Sequence, residues 1–228
     1  MTGELGPDPG PDLGHVTTWL FDLDDTLYPA ETGLMAEIAE RMTGFIMRTL
    51  GLPRDAAYRL QKDYLVEHGV TLLGLMKHHG VDPIAFADAY LDIELDALSH
   101  DPELVQAIAA LPGRRLIFTN ADARHAERVL THLGLAELFH EVFHLASFDY
   151  TPKPDPQAFA RICAEHGVVP AETCFFEDSE RNLKPGAELG MTTVLVGPHA
   201  LDSEAAFVHF RAPRLTPFLQ SVTLRPTG

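Results

Sequence analysis

The sequence predicts an α/β fold: a parallel sheet with helices on both faces, interrupted by an all-helical insert. Three observations predict it. After Gly113, short apolar runs alternate with helical patterns, each helix stopped by a glycine. Before that, roughly eighty residues carry helical periodicity and no strand pattern. Ahead of those, Val16–Phe21 is a short apolar run that breaks into three carboxylates, Asp22, Asp24 and Asp25. Together these describe a Rossmann-like core whose first strand is followed at once by the insert. The expected division is a flexible Gly/Pro tail at 1–14, a core at 15–28 and 106–228, and a helical cap at 29–105.

The elements follow in order. Val16–Phe21 is the first strand. Met35, Ile38, Met42, Phe45 and Ile46 recur at three- and four-residue spacing, an amphipathic helix ended by Gly51 and Pro53. Asp55–His68 and Leu72–His79 are further helices, closed by Gly69 and Gly80. Asp82-Pro83 is an N-cap with proline at the first helical position, opening a helix through Asp96. Asp101-Pro102 repeats the signal before a helix ending near Leu111. Strands are expected at Arg115–Thr119, Glu141–Ala146, Thr173–Phe176 and Thr192–Val196, with a short last strand at Phe207-Val208. Helices are expected at Ala121–Leu133, from Asp155-Pro156 through His166, at Glu180–Leu189 and at Leu215–Val222.

Composition narrows the function. The chain has 228 residues, 46% of them apolar, enough to bury a real core. No apolar run approaches the roughly 20 residues of a membrane helix, and the acidic N-terminus lacks the pattern of a signal peptide. A formal net charge of −16 repels nucleic acid. Cys163 and Cys174 have neither metal-ligand spacing nor a disulfide framework, and are expected as free thiols in a reducing cytoplasm. Only four lysines occur, Lys62, Lys77, Lys153 and Lys184, so each position is informative.

In open parallel sheets, ligands bind beyond the carboxyl ends of the strands. Four successive strand ends here carry, in order, Asp22 and Asp24, then Thr119-Asn120, then Lys153 between two prolines, then Glu177-Asp178. Asp22 and Asp24 would share a face if the strand continued, though a turn relaxes that geometry. Each group alone has a bland reading as a turn, cap or solvated side chain. Their joint order does not. Buried carboxylates need pairing or a metal, and Lys153 supplies the counter-charge.

This set resembles the haloacid dehalogenase superfamily, with DLDDT at 22–26, Thr119, Lys153 and Glu177-Asp178 in the places of its four motifs. The resemblance implies a Mg²⁺-dependent phosphatase. Asp22, the carbonyl of Asp24, and Asp178 would hold Mg²⁺, with Glu177 alongside or through water. Asp22 would attack phosphorus and form an aspartyl-phosphate. Asp24 would be the general acid and base, a residue the family's dehalogenases do not use. Thr119, the Asn120 amide and Lys153 would bind the phosphoryl oxygens, and Lys153 would keep Asp22 ionised. Leu23 is grouped with the substrate-binding positions, Ser179 and Asn182 with the supports, and Asp25 is read as a turn residue.

The helical insert occupies the place of the superfamily's small cap. With DLDDTLYP at 22–29 and FTNAD at 118–122, its segment 64–83 resembles the pyrimidine 5′-nucleotidase branch. That implies a nucleoside monophosphate such as UMP or CMP, with Tyr28, Tyr64, His78 and His79 as candidates to line the pocket. By spacing, His78 and His79 are not expected to be a metal site. The alternatives are a phosphatase for phosphoglycolate or a sugar phosphate, and a non-catalytic regulatory protein. A monomer or homodimer is expected, with a small phosphate as the partner.

Overall fold

The computed structural model describes residues 10–224. It contains six parallel strands: β1 (Thr18–Phe21), β2 (Arg114–Phe118), β3 (Glu141–Phe143), β4 (Thr173–Glu177), β5 (Thr192–Val196) and β6 (Phe210–Ala212), in the order β3-β2-β1-β4-β5-β6. The direction of winding reverses between β1 and β4, which is where open sheets of this kind present a crevice. Phe21 is level with Ile117 on one side and Phe176 on the other. The register therefore brings Asp22, Phe118 and Glu177 to the same height at the carboxyl edge.

The strands form because their side chains have two apolar faces to fill. Trp19, Phe21, Cys174 and Phe176 join one core cluster; Leu20, Phe118 and Phe175 join the other, a period-two alternation. Phe21 stacks on Phe176 with centroids 4.6 Å apart. Cys174 is buried in β4 and Cys163 is partly buried; both are free.

Of the five α-helices between β1 and β2, the first four pack in chain order: α1 (Leu34–Leu50), α2 (Arg54–His68), α3 (Thr71–His79) and α4 (Pro83–Asp88). Next come α5 (Pro102–Ala109), α6 (Ala123–His132), α7 (Pro156–His166), α8 (Glu180–Glu188) and α9 (Leu215–Ser221). Asp82, Asp101, Asp122 and Asp155 all accept main-chain N–H bonds as N-caps. α5 packs on α9, so it crosses the boundary expected at 105.

Several expectations are corrected. α4 stops at Asp88, not Asp96. Beyond it Tyr90, Ile93, Leu95 and Leu98 are all buried, positions that cannot share one helical stripe, and the chain advances by tight turns such as Ile93 N–H to Tyr90 O. β3 ends at Phe143 and gives way to a 3₁₀ turn at Leu145–Phe148. The last strand is Phe210–Ala212, later than Phe207-Val208, because His209 and Phe207 are taken up by Thr193. Residues 1–9 of the expected tail lie outside the described residues. Residues 10–14 do not continue as a loose tail: Leu13 is fully buried and Asp12 bridges Thr223.

Candidate active site

Lys153 is the best-held residue of the site. Its side chain is 1% exposed, yet its Nζ lies 2.6 Å from Asp22 Oδ1 and 2.7 Å from Glu177 Oε2. Two features of the sequence put it there. Asp155 caps α7 and anchors the loop from below. Asn120 clamps the Lys153 main chain from the side: Nδ2 donates to Lys153 O at 2.9 Å, and Lys153 N–H donates to Asn120 Oδ1 at 2.8 Å. The Lys153 Nζ also faces the rings of Phe118 and Phe175, whose centroids lie 5.3 and 5.5 Å away. Burial opposes the lysine charge, but Asp22 and Glu177 outweigh it and raise its pKa.

Three carboxylates converge beside it. One oxygen each of Asp22, Glu177 and Asp178 lies within 4.8 Å of the others. Burial first, then the Glu177 charge, push Asp22 up to about 7, with Lys153 only partly offsetting them. Burial likewise lifts Glu177 to about 7, and burial with Asp22 lifts Asp178 to about 6. Lys153 favours the ionised form of Asp22, as expected, but a second carboxylate, Glu177, shares the same ammonium. Glu177 is further occupied through Oε1, which accepts from Ser179 N–H at 3.1 Å. Asn182 Oδ1 and Asp25 Oδ1 are buried acceptors without a hydrogen-bond partner among the described residues. Crowded acids with surplus acceptors suit a hard divalent cation with oxygen ligands.

Asp24 has a different neighbourhood. Leu27 N–H and Thr26 N–H both return to Leu23 O, so the chain turns directly after Asp24, with Asp25 in the left-handed region at φ 60°. That turn carries Tyr28 back over Asp24, and its hydroxyl donates to Asp24 Oδ1 at 2.5 Å. His125 Nε2, from the first turn of α6, meets the same oxygen at 2.8 Å. Burial pushes the Asp24 carboxyl up, but His125, with help from Tyr28, outweighs it and holds Asp24 below its ordinary value. Burial also opposes charge on His125, and Asp24 outweighs that to raise it. Asp24 Oδ2 has no hydrogen bond among the described residues and is the oxygen left for a ligand. His125 was missed from sequence. The available signal was its place at i−1 and i−4 to Ala126 and Val129, on the buried face of α6.

Thr119 is buried; its N–H donates to Phe143 O and its Oγ1 accepts from Ala121 N–H, which leaves the hydroxyl proton free to donate. Above these groups opens a cavity of about 390 Å³. Asp22, Asp24, Thr119, Lys153, Glu177 and Asp178 line its floor, and Met35, Ile38, Met42, Leu65, Leu72 and Tyr90 are among its walls. Other expected residues are placed differently. Asn120 lines the cavity, but its side-chain amide is spent on the Lys153 main chain and positions that residue. Leu23 is fully buried and can offer only its main chain. Tyr28, Tyr64, His78 and His79 do not line the cavity. Tyr28 holds Asp24 instead, and the other three gather on the far side of α2 and α3, where Tyr64 hydroxyl meets His79 Nε2 at 2.8 Å.

The chain and its fold are similar to those of known proteins. Phosphate metabolism protein 8 of Saccharomyces cerevisiae is 28% identical over 205 residues, covering 83% of this chain and 63% of that protein. The chain thus spans less than two thirds of the yeast protein. Glyceraldehyde 3-phosphate phosphatase of Methanopyrus kandleri is 29% identical over 194 residues, covering 78% of this chain and 82% of that one. Among solved structures, a HAD phosphatase from Thermococcus onnurineus shares the fold with a TM-score of 0.62 at 19% identity, over 87% of this chain and 94% of that chain. The L-2-haloacid dehalogenase of Xanthobacter autotrophicus shares it with a TM-score of 0.56 at 18% identity, over 90% and 97%. The family model for haloacid dehalogenase-like hydrolases matches residues 16–190, from β1 to the end of α8, and the chain belongs to that family.

Proposed function

We propose that the protein is a Mg²⁺-dependent phosphatase that acts through an aspartyl-phosphate on Asp22, with a pyrimidine nucleoside monophosphate as substrate. The observation that carries the phosphatase reading is the second carboxylate. Asp24 stands two residues after Asp22, reaches the same cavity, and keeps Oδ2 free while Tyr28 and His125 hold Oδ1. An alkoxide leaving group needs a proton donor, and a halide does not. The phosphatases among the similar proteins support the same reading.

In this reading Asp22 attacks phosphorus, and Asp24, ionised beside a proton-bearing His125, passes that pair's proton to the leaving oxygen and then takes one back from the hydrolytic water. Lys153 and the Thr119 hydroxyl stabilise the negative oxygens of the transferring group. Asp22, Asp178 and the Asp24 carbonyl would hold Mg²⁺. Glu177, bonded to Lys153 and Ser179, fits an outer position that orients the lysine. When bound, the ion supplies charge neutralisation between the carboxylates and the phosphoryl oxygens. The helices α1–α4 act as the cap, excluding water and selecting the leaving group.

The apolar walls support a nucleoside. Met35, Ile38, Met42, Leu65 and Leu72 give surface suited to a base, while Lys62 and Arg181 on the same lining offer charge to phosphate or to a second anionic group. Phosphate release from UMP, CMP, phosphoglycolate and p-nitrophenyl phosphate, with Mg²⁺ and with EDTA, tests both levels. No turnover of any ester with Mg²⁺, or full activity in Asp22→Asn, refutes the mechanism. A second reading, a triose or sugar phosphate, is favoured by the similarity to glyceraldehyde 3-phosphate phosphatase; turnover of that class with none on UMP or CMP would replace the nucleotide.

A further inference from the structure

A second convergence of ligating side chains lies on the helical insert, apart from the carboxylate site. Glu67 and His68 end α2, and His78 lies in the last turn of α3. One ligand atom from each lies within 4.8 Å of the others. Glu67 Oε1 and His68 Nε2 are 3.5 Å apart, and the rings of His68 and His78 have centroids 5.4 Å apart. Ligands at about 2.1 Å on a tetrahedral ion stand about 3.4 Å from one another, and two imidazoles sharing it have centroids about 5 Å apart. The Glu67–His68 distance and the ring separation match those values, and the remaining ligand atoms stand close enough for side-chain rotation to close on one ion. His68 Nε2 is buried and has no hydrogen-bond partner among the described residues.

The helices are shaped to bring these rings together. Gly74 packs so closely on Tyr64 that a Cβ there would come within 2.2 Å of the ring. This close crossing puts His78, one turn after Gly74, over α2. Tyr64 then stacks on His78 at 5.4 Å and 20°, and packs against His68 at 5.7 Å. Its hydroxyl is tied to His79. Both imidazoles are therefore packed against the one Tyr64 ring.

We propose that Glu67, His68 and His78 form a binding site for a borderline transition-metal cation of the Zn²⁺ class, with a fourth position open to solvent. Two imidazoles and one carboxylate select such an ion over Mg²⁺, while the all-carboxylate set at Asp22, Glu177 and Asp178 has the opposite preference. A bound ion fastens the end of α2 to the end of α3. It stands one residue from Gly69, where a Cβ would lie 3.1 Å from Pro152 and 3.3 Å from Lys153 O, and whose carbonyl accepts from Arg181. The site is thus next to the contact between the insert and the Lys153 loop.

The test is titration of the full chain with Zn²⁺ against a chromogenic chelator in excess millimolar Mg²⁺, with the absorption spectrum of the Co²⁺ form as a second readout. Expected are one equivalent of Zn²⁺ not displaced by Mg²⁺, and the intense visible bands of tetrahedral Co²⁺. His78→Ala and Glu67→Gln, both at exposed positions, weaken Zn²⁺ binding by more than about tenfold, while Asp22→Asn leaves it unchanged. Wild-type binding in both His78→Ala and Glu67→Gln overturns the proposal. So does Zn²⁺ that binds only without Mg²⁺ or is lost in Asp22→Asn, since that ion sits on the carboxylates.

Discussion

Replacing Lys153 by Met keeps the stem and removes only the ammonium. What it leaves is two buried carboxylates, Asp22 and Glu177, that had contacts of 2.6 and 2.7 Å to one positive charge. Breaking a buried pair from one side costs about 3–5 kcal/mol. For a chain of this length that is a fall in Tm of about 6–20 °C. The sign of the pH dependence follows from the acids. Asp22 and Glu177 are already raised to about 7 with the lysine present. A carboxyl raised in the folded state holds a proton that the unfolded chain has lost, so stability falls as pH rises from about 4 through about 7. The deficit of Lys153→Met is therefore expected to be full near about pH 8 and much smaller near about pH 5.5, where both acids are protonated. Thermal unfolding of both proteins in EDTA at the two pH values measures it. Equal Tm values at pH 8, or the same deficit at both, would refute the reasoning that the lysine serves to offset these charges.

Three further outcomes are expected. Mg²⁺ affinity rises with pH between about 5 and 8, because Asp22, at about 7, and Asp178, at about 6, must lose protons to ligate; calorimetric titration reads this, and saturation at about a hundred times Kd raises Tm by about 5–10 °C. Asn120→Ala strips two hydrogen bonds from the Lys153 main chain and costs about 1–3 kcal/mol, with a matching loss of kcat and little change in KM, measured by denaturant unfolding and phosphate release. Tyr28→Phe and His125→Gln each lower kcat by about 10–100-fold by loosening Asp24; steady-state kinetics on an ester with a good leaving group, p-nitrophenyl phosphate, should show the smaller deficit.

The sheet was legible because its strands must fill two apolar faces, and TWLF, RRLIF, TCFFE and TTVLV have few other ways to do so. The strand-end acids and Lys153 were legible for the converse reason: charge at the end of a buried run demands a partner, and a parallel sheet brings such ends together. What could not be read was side-chain direction between segments distant in sequence. His125 reaches Asp24 across 101 positions, and only the buried face of α6 hinted at it. Tyr64, His78 and His79 were expected at the pocket because segment 64–83 resembles the nucleotidase branch, yet Leu72 of that segment, read as a packing residue, lines the cavity and they do not. Gly74 decides otherwise, by drawing α3 onto Tyr64 and turning the histidines outward. The run from Asp88 to Asp96 misled because its composition suits a helix, while the burial of Tyr90, Ile93, Leu95 and Leu98 overrides local preference.

The change of backbone period at Asp22 explains how two acids two residues apart come to differ. Had β1 continued, both would have faced the same way and met the same neighbours. The strand ends at Phe21, and the turn that follows brings fourth neighbours into contact. Thr26 Oγ1 donates to Asp22 Oδ2 at 3.3 Å, and Tyr28 hydroxyl donates to Asp24. From there the two acids face different parts of the molecule. Asp22 looks across β4 to Glu177 and Lys153, and burial with a second carboxylate raises it to about 7. Asp24 looks across to α6, and His125 holds it low. These shifts run against the roles proposed for the two acids, so a divalent ion would have to draw the proton from Asp22, and His125 would have to supply the one that Asp24 delivers. One turn, with Asp25 in a left-handed conformation at its centre, produces that separation. A substitution that restores extended backbone there should therefore merge the two environments before it disturbs the sheet.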